Sequence, residues 1–120
     1  MLGASGEALV ASRLLSHGYT VLLPSVPEPY DMVASKDGEY HLVQVKSTKY
    51  NSGSRFEFVI KRCNRAYKNG DTDFIVLVAT PIQTCWVVPF SDLNNKTKVN
   101  INPNRTNRWT KYCEAWGLIK

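Results

Sequence analysis

Residues 31–46, with the sequence DMVASKDGEYHLVQVK, contain the strongest local signal in the chain. Asp37-Gly38 separates two runs that have the residue types of β-strands, and such a pair is typical of a two-residue type I′ turn. The pattern therefore predicts a β-hairpin in which Lys36 and Glu39 are the last paired residues.

This register brings three polar side chains together. Asp31 lies directly opposite Gln44, with β-carbons about 5 Å apart, and Lys46 is a diagonal neighbour at about 7–8 Å. Because side chains alternate along a strand, Gln44 and Lys46 share one face, while Val43 and Val45 point to the other. The spacing thus predicts an acid, an amide and an ammonium in one place.

A helix is predicted over residues 5–17, with Ser5 as its N-cap and Gly18 just after its end. Glu7 falls in the middle of the apolar arc of this helix. A buried acid usually has a partner such as a metal ion or a lysine, so Glu7 is a candidate for the same site. The alternative is that Glu7 only complements the helix dipole. The arc consists of Ala4, Val10, Ala11, Leu14 and Leu15.

The remaining segments predict a mixed α/β domain that spans residues 1–120. A short basic helix is expected over 61–68, and a final helix is expected from about Thr106. The run 74–79 is apolar throughout, as expected of a strand that is covered on both faces. Strand signals occur at 19–23, 31–35, 40–48, 56–60, 74–80 and 85–90.

Composition excludes several classes of protein. Of the 120 residues, 43% are hydrophobic and 21% are charged, which is typical of a globular chain with a packed core. No apolar run is long enough for a membrane span, and the first residues lack the pattern of a signal peptide, so we expect an intracellular protein without membrane contact. The three cysteines, Cys63, Cys85 and Cys113, are too widely spaced for a disulfide framework or a zinc ribbon.

The positive charge is concentrated in two segments. Residues 46–68 contain seven basic residues and one acidic residue, and residues 96–120 contain six basic residues and one acidic residue. The rest of the chain has a net negative charge. Basic residues that neutralise phosphates beside acids that hold a metal ion are typical of a nucleic-acid enzyme, although a solvated basic surface is the simpler alternative. The candidate DNA contacts are Lys49, Arg55, Lys61, Arg62, Arg65 and Lys68, with Asn64 suited to adenine edges.

At these residues the chain resembles the PD-(D/E)XK nuclease superfamily. The resemblance is carried by Pro29-Tyr30-Asp31, by Gln44-Val45-Lys46 thirteen positions further on, and by Gly6-Glu7 on the preceding helix. It is closest to the small group I intron homing endonucleases of this fold and more distant to archaeal Holliday junction resolvases. It implies a restriction-endonuclease-like α/β domain with a central mixed β-sheet flanked by helices.

The resemblance also implies a role for each site residue. Asp31 is the principal metal ligand, Gln44 and the Val45 carbonyl supply further oxygens, and Lys46 orients or helps to deprotonate the attacking water. Glu7 binds the metal through water or steadies Lys46. The superfamily has Asp or Glu where this chain has Gln44, a departure that also occurs in homing endonucleases of this fold. An amide oxygen can still ligate Mg²⁺, the implied cofactor, for which Mn²⁺ would substitute; no small-molecule cofactor is implied.

The sequence therefore predicts a Mg²⁺-dependent, site-specific endonuclease of double-stranded DNA. A junction resolvase is one alternative, and a DNA-binding module with a degenerate pocket, suggested by Gln44, is another. Taken singly, Lys46 would also fit a snorkelling surface lysine, and Asp31 would fit an Asx turn. Cutting both strands needs two sites, so we expect a homodimer or homotetramer. The candidate interface residues are Trp86, Trp109, Tyr112 and Trp116, for which burial in the core is the alternative.

Overall fold

A computed structural model of the chain describes residues 2–49, 51–61 and 65–120. These residues form one α-helix, eight β-strands and several single 3₁₀ turns. The helix is α1 (Leu2–Ser16), and the strands are β1 (Thr20–Leu22), β2 (Met32–Lys36), β3 (Glu39–Thr48), β4 (Asn51–Ser52), β5 (Arg55–Val59), β6 (Phe74–Ala79), β7 (Thr84–Pro89) and β8 (Lys98–Ile101).

The predicted hairpin and its register are confirmed. Lys36 pairs with Glu39, and Met32 pairs with Val43 further along the ladder. Asp37 and Gly38 both have positive φ, at 53° and 80°, as a type I′ turn requires. The turn therefore sets which residues of β2 and β3 face each other.

The larger sheet is mixed, with the strand order β1-β2-β3-β6-β7. β3 and β6 are parallel, whereas the other neighbours are antiparallel. Every residue of β6 is buried, as its apolar sequence predicts. Just before β6, the Asp73 carboxylate accepts the Leu42 N–H at 2.8 Å and Thr72 Oγ1 donates to the Leu42 carbonyl at 3.0 Å. These two bonds fix the start of β6 against β3.

Helix α1 covers one face of this sheet but begins three residues earlier than predicted, so Ser5 is not its N-cap. Its end is as predicted: Gly18 has a φ of 88°, and the Tyr19 N–H donates to the Leu14 carbonyl at 3.1 Å, which is a Schellman arrangement. Val10 and Leu14 are fully buried against the sheet. Leu15 is 59% exposed and Ala4 is also exposed, so the predicted arc included two residues of the solvent face.

The other face of the large sheet is covered by a second sheet, with the order β4-β5-β8, and by aromatic side chains. The sequence reading missed β8. The helix predicted from Thr106 is absent, and two 3₁₀ turns, Thr110–Tyr112 and Trp116–Leu118, take its place. The helix predicted over 61–68 is not formed at Lys61 or at 65–68, and positions 62–64 lie outside the described residues.

Local side-chain bonds and the burial of aromatic residues explain why the C-terminal segment is not helical. Asn107 and Thr110 bond to nearby backbone groups, which competes with a helix. The four aromatic residues that were candidates for an interface are instead core residues, each at most 6% exposed: Trp86, Trp109, Tyr112 and Trp116. The fold is thus the predicted α/β class with a central mixed sheet, with a single α-helix among the described residues. None of the described helices is long and apolar enough to cross a membrane.

Candidate active site

Asp31 lies immediately before β2 and is held across from β3 by two hydrogen bonds. Its N–H donates to the Val43 carbonyl at 2.8 Å, and its Oδ2 accepts the Val45 N–H at 2.8 Å. The first bond continues the hairpin ladder by one residue, which is why Asp31 reaches the position that the register predicts. The side chain is partly buried, with one carboxylate oxygen oriented by the backbone of β3.

Gln44 and Lys46 lie on β3 beside Asp31. Gln44 is 8% exposed, and its Nε2 donates to the Val45 carbonyl at 3.2 Å. No hydrogen bond to Gln44 Oε1 occurs among the described residues. Lys46 Nζ donates to the Lys61 carbonyl at 3.0 Å and lies 5.3 Å from the centroid of the Tyr67 ring. Lys61 and Tyr67, which lie later in the same basic segment, therefore contact the Lys46 side chain directly.

Glu7 reaches this site because α1 approaches β3 very closely at the preceding residue. Gly6 is buried against Ser47, and a β-carbon at Gly6 would overlap the Ser47 hydroxyl. A side chain at residue 6 would therefore require Ser47 or the helix to shift. Glu7 and Asp31 line one cavity of about 320 Å³, which Tyr30 and the 23–28 loop complete.

The electrostatics show two carboxylates that lack sufficient positive charge. Burial raises the pKa of Glu7, and the nearby Asp31 raises it further. Burial also raises the pKa of Asp31, and the Val45 N–H and the Lys46 ammonium offset only part of this rise. Within the described residues, the Glu7 carboxylate has no hydrogen bond or ion pair. Two such groups side by side favour a bound cation.

The available donors fit a hard divalent ion. Asp31 and Glu7 offer carboxylate oxygens, and Gln44 Oε1 and the Val45 carbonyl offer neutral ones, which suits Mg²⁺ better than a soft metal. No group of three His, Cys, Asp or Glu side chains that could hold a metal occurs in the described part of the chain. An ion here would therefore depend on the neutral oxygens.

The predicted DNA-contacting residues differ in their exposure and in the partners that they already have. Lys49, Arg55, Lys61 and Lys68 are exposed. Arg65 Nη1 lies 3.7 Å from Asp71 and donates to the Ala66 carbonyl at 3.1 Å, so part of its charge is already used inside the protein. Arg62 and Asn64 lie outside the described residues. Contact with DNA stays a prediction for all of these positions.

Sequence reasoning missed the groups that orient the site residues. The Lys61 carbonyl and the Tyr67 ring contact the Lys46 ammonium, and Gly6 packs closely against Ser47. The alternation of basic and aromatic residues around Tyr67 was a signal, but it suggested DNA contact rather than support for the lysine. No spacing in the sequence pointed to the contact between Gly6 and Ser47.

Comparison with known proteins identifies the family and supports the fold. A bacterial homing endonuclease, I-Ssp6803I, has a similar structure, with a TM-score of 0.83 and 26% identity over 98% of this chain and 87% of the other. Protein 5.3 of Escherichia phage T7 is 36% identical over 83 residues, which cover 65% of this chain and 70% of the phage protein. The sequence model of the PD-(D/E)XK endonucleases matches residues 1–119. The chain therefore belongs to the PD-(D/E)XK endonuclease family.

Proposed function

We propose that the protein is a Mg²⁺-dependent, site-specific endonuclease that hydrolyses phosphodiester bonds of double-stranded DNA. The observation that carries this proposal is the convergence of Glu7, Asp31 and Lys46, in which two carboxylates of raised pKa share one cavity beside an ammonium. The structural similarity to a homing endonuclease supports site specificity over general degradation.

Each site residue would have a distinct role in the reaction. Asp31, Gln44 Oε1, the Val45 carbonyl and Glu7 would hold the ion, which when bound lowers the pKa of water and offsets charge on the phosphate. Mn²⁺ would substitute for Mg²⁺. Lys46, held by the Lys61 carbonyl, would orient the attacking water and stabilise the negative charge that develops on the phosphate oxygens. Water adds to phosphorus, one P–O ester bond breaks, and the leaving oxygen takes up a proton.

The DNA substrate would be held by exposed basic residues of the first basic segment, mainly Lys49, Arg55, Lys61 and Lys68. Cutting both strands requires two such sites, so we propose that the protein acts as a homodimer or homotetramer. The buried tryptophans do not supply this interface, because their surface is already used in the core.

Cleavage of two substrates tests the proposal. A pool of linear duplexes of random sequence and an immobile four-way junction are each incubated with Mg²⁺ or with EDTA. The proteins compared are the wild type, Asp31→Asn and the matched control Asp37→Asn, which changes an acid in the exposed turn where positive φ suits asparagine. We expect cleavage of a recurring duplex sequence that needs Mg²⁺ and Asp31 but not Asp37. Cleavage that survives EDTA or the Asp31 substitution contradicts the proposal, and cleavage of the junction alone indicates a resolvase.

Gln44 supports a second candidate, a DNA-binding module with a degenerate pocket. Its amide N–H occupies one lone pair of the Val45 carbonyl, and the position lacks the charge of a carboxylate. Calorimetry with Mg²⁺ and Mn²⁺ in the presence of DNA separates the two candidates. The endonuclease proposal expects binding by the wild type and tighter binding by Gln44→Glu. Absence of binding by the wild type, together with binding by Gln44→Glu, favours the module.

A further inference from the structure

The segment after β7 holds a second concentration of positive charge that the candidate active site does not use. Residues 93–113 contain five basic side chains and no acidic one. Among the described residues, Lys98 is the one member of this set that forms an ion pair, with Nζ 3.5 Å from a Glu57 oxygen. The basic side chains are Lys96, Lys98, Arg105, Arg108 and Lys111. Most of this charge therefore faces solvent without neutralisation.

The loop that follows β8, residues 102–110, is held in shape by its own asparagine side chains. Asn102 Oδ1 accepts the Asn104 N–H at 2.9 Å, and Asn107 Nδ2 donates to the carbonyls of Asn102 and Arg105 at 3.0 and 2.9 Å. The exposed Arg105 guanidinium makes no hydrogen bond or ion pair with any described residue. The loop is thus preorganised by its own hydrogen bonds, and it carries the Arg105 guanidinium, which has no partner among the described residues.

This loop borders a groove of about 470 Å³ near the start of β7. Its lining includes Thr84 and Trp86 of β7 and Asn104 and Arg105 of the loop. Next to it, the Arg108 guanidinium lies 4.6 Å from the centroid of the Trp109 ring, and this contact with a buried ring holds the cation at the surface. Cations and amides without an acid are the donor set that suits a polyanion.

The sheet register relates this groove to the candidate active site. Lys46 pairs with Leu77, Leu77 pairs with Trp86, and Trp86 forms a bridge with Cys113, which also lines the groove. Lys46 contacts Tyr67, which belongs to the same core cluster as Trp86, so both ends of this row lie at the face that the second sheet covers. Three steps between strands of 4.7–4.9 Å place the backbone of Cys113 about 14 Å from that of Lys46, a separation that one duplex can span.

We infer that residues 102–111 form a second DNA-contacting surface, which binds the sugar-phosphate backbone away from the cleaved bond, with Arg105 as the main contact. The surface continues toward the exposed Arg55, because Asn102 Nδ2 donates to Ser54 Oγ at 3.2 Å in the turn between β4 and β5. The inference takes the identity of its ligand, a DNA duplex, from the proposed function.

Binding to a labelled duplex of arbitrary sequence, measured in EDTA over a series of salt concentrations, tests the inference without any cleavage. Arg105→Ala is compared with Lys120→Ala, which removes the same charge beside the β2–β3 turn at the other end of the sheet. Each phosphate contact contributes about 0.9 to the slope of log affinity against log salt. We expect Arg105→Ala to weaken binding roughly tenfold at low salt and to reduce the slope by about 1, while Lys120→Ala leaves both near wild type.

Arg108→Ala provides a second variant with an expected effect in the same direction. Circular dichroism verifies that each variant is folded. Equal affinity and slope for the wild type and both arginine variants would overturn the inference, as would equal losses in Lys120→Ala. Failure of the proposed function is distinguishable, because it would show as a lack of Mg²⁺-dependent cleavage by a wild type that still binds the duplex through Arg105.

Discussion

Two carboxylate sites in this molecule have opposite surroundings. Glu114 receives three different donors: Arg13 Nη1 at 2.5 Å, the Cys85 N–H at 2.7 Å and Trp116 Nε1 at 2.9 Å. Burial raises its pKa, but these hydrogen bonds and the Arg13 charge outweigh burial and lower the pKa overall. Glu7 and Asp31 together accept one protein hydrogen bond among the described residues, and the pKa of each is raised.

The protein compensates the charge of Glu114 and leaves those of Glu7 and Asp31 poorly compensated. Glu114 joins α1, β7 and the C-terminal segment, and the chain itself supplies all its partners. Glu7 and Asp31 are brought together without such partners, which costs stability in the free protein; a bound cation would offset this cost. The same helix supplies both sites, since it carries Glu7 near one end and Arg13 near the other.

The largest expected effect comes from Glu7→Gln, which removes one negative charge from the unpaired site. We expect Mg²⁺-dependent cleavage to fall on the order of 100-fold, because the ion and the developing phosphate charge lose part of their electrostatic support. The melting temperature should stay the same or rise, because a poorly compensated charge is removed. Cleavage near the wild-type rate would assign Glu7 to the helix dipole instead.

Glu114→Gln should show the reverse pattern. The amide keeps one acceptor oxygen and presents an N–H toward either Cys85 or Arg13, so we expect a loss of about 2 kcal/mol in the free energy of unfolding. Cleavage per folded molecule should be unchanged. Glu57→Gln is the matched control: its partner Lys98 lies 3.5 Å away with both side chains well exposed, so the loss should stay within about 0.5 kcal/mol. Urea denaturation measures all three proteins, and equal losses in both variants would contradict the comparison.

Gly6→Ala tests whether the position of Glu7 matters for cleavage while its charge is kept. The new β-carbon overlaps the Ser47 hydroxyl and lies 3.1 Å from the Ser47 β-carbon, so Ser47 must rotate or α1 must move away from β3, at the cost of about 1–2 kcal/mol. Gly3→Ala on the same helix meets no atom within 4 Å and should stabilise the protein by about 0.5–1 kcal/mol. We expect cleavage to fall only in Gly6→Ala, measured under conditions where both variants are folded. Unchanged cleavage would mean that Glu7 acts independently of the close helix approach.

The two carboxylate sites also differ in how far the sequence predicts them. The Asp37-Gly38 turn fixes a local register, so the neighbourhood of Asp31, Gln44 and Lys46 follows from the sequence alone. The inward position of Glu7 is predicted by the apolar periodicity of one helix. By contrast, Arg13 and Glu114 are 101 residues apart, and no local pattern relates them.

The same distinction applies to the secondary structure. The apolar run of β6 predicts a buried strand because no other environment covers both faces. The segment after Thr106 has apolar residues at helical spacing, yet Trp109 and Trp116 are buried through separate short turns against the sheet. Such packing depends on residues far away in the chain, so local periodicity gives the wrong secondary structure there.

The smallest expected effect is a difference in pH dependence between the two sites. The ordinary pKa values are 3.8 for Asp31 and 4.5 for Glu7, and both are raised in the folded protein. The folded state therefore binds these protons more tightly, and stability without metal falls as pH rises from about 4 through the folded pKa values. Glu114, with a lowered pKa, contributes stability that is present above 4.5 and is lost as pH falls.

Melting curves in EDTA between about pH 4 and pH 8 test these opposite signs. Asp31→Asn should become more stable than the wild type as pH rises, by about one or two degrees in melting temperature. Glu114→Gln should show its full deficit near pH 7 and lose part of it below pH 4.5. Mg²⁺ should remove the advantage of Asp31→Asn, because the wild type alone keeps the full set of ligands. A wild type that becomes more stable relative to Asp31→Asn with rising pH in EDTA would show that Asp31 is compensated by the protein, as Glu114 is.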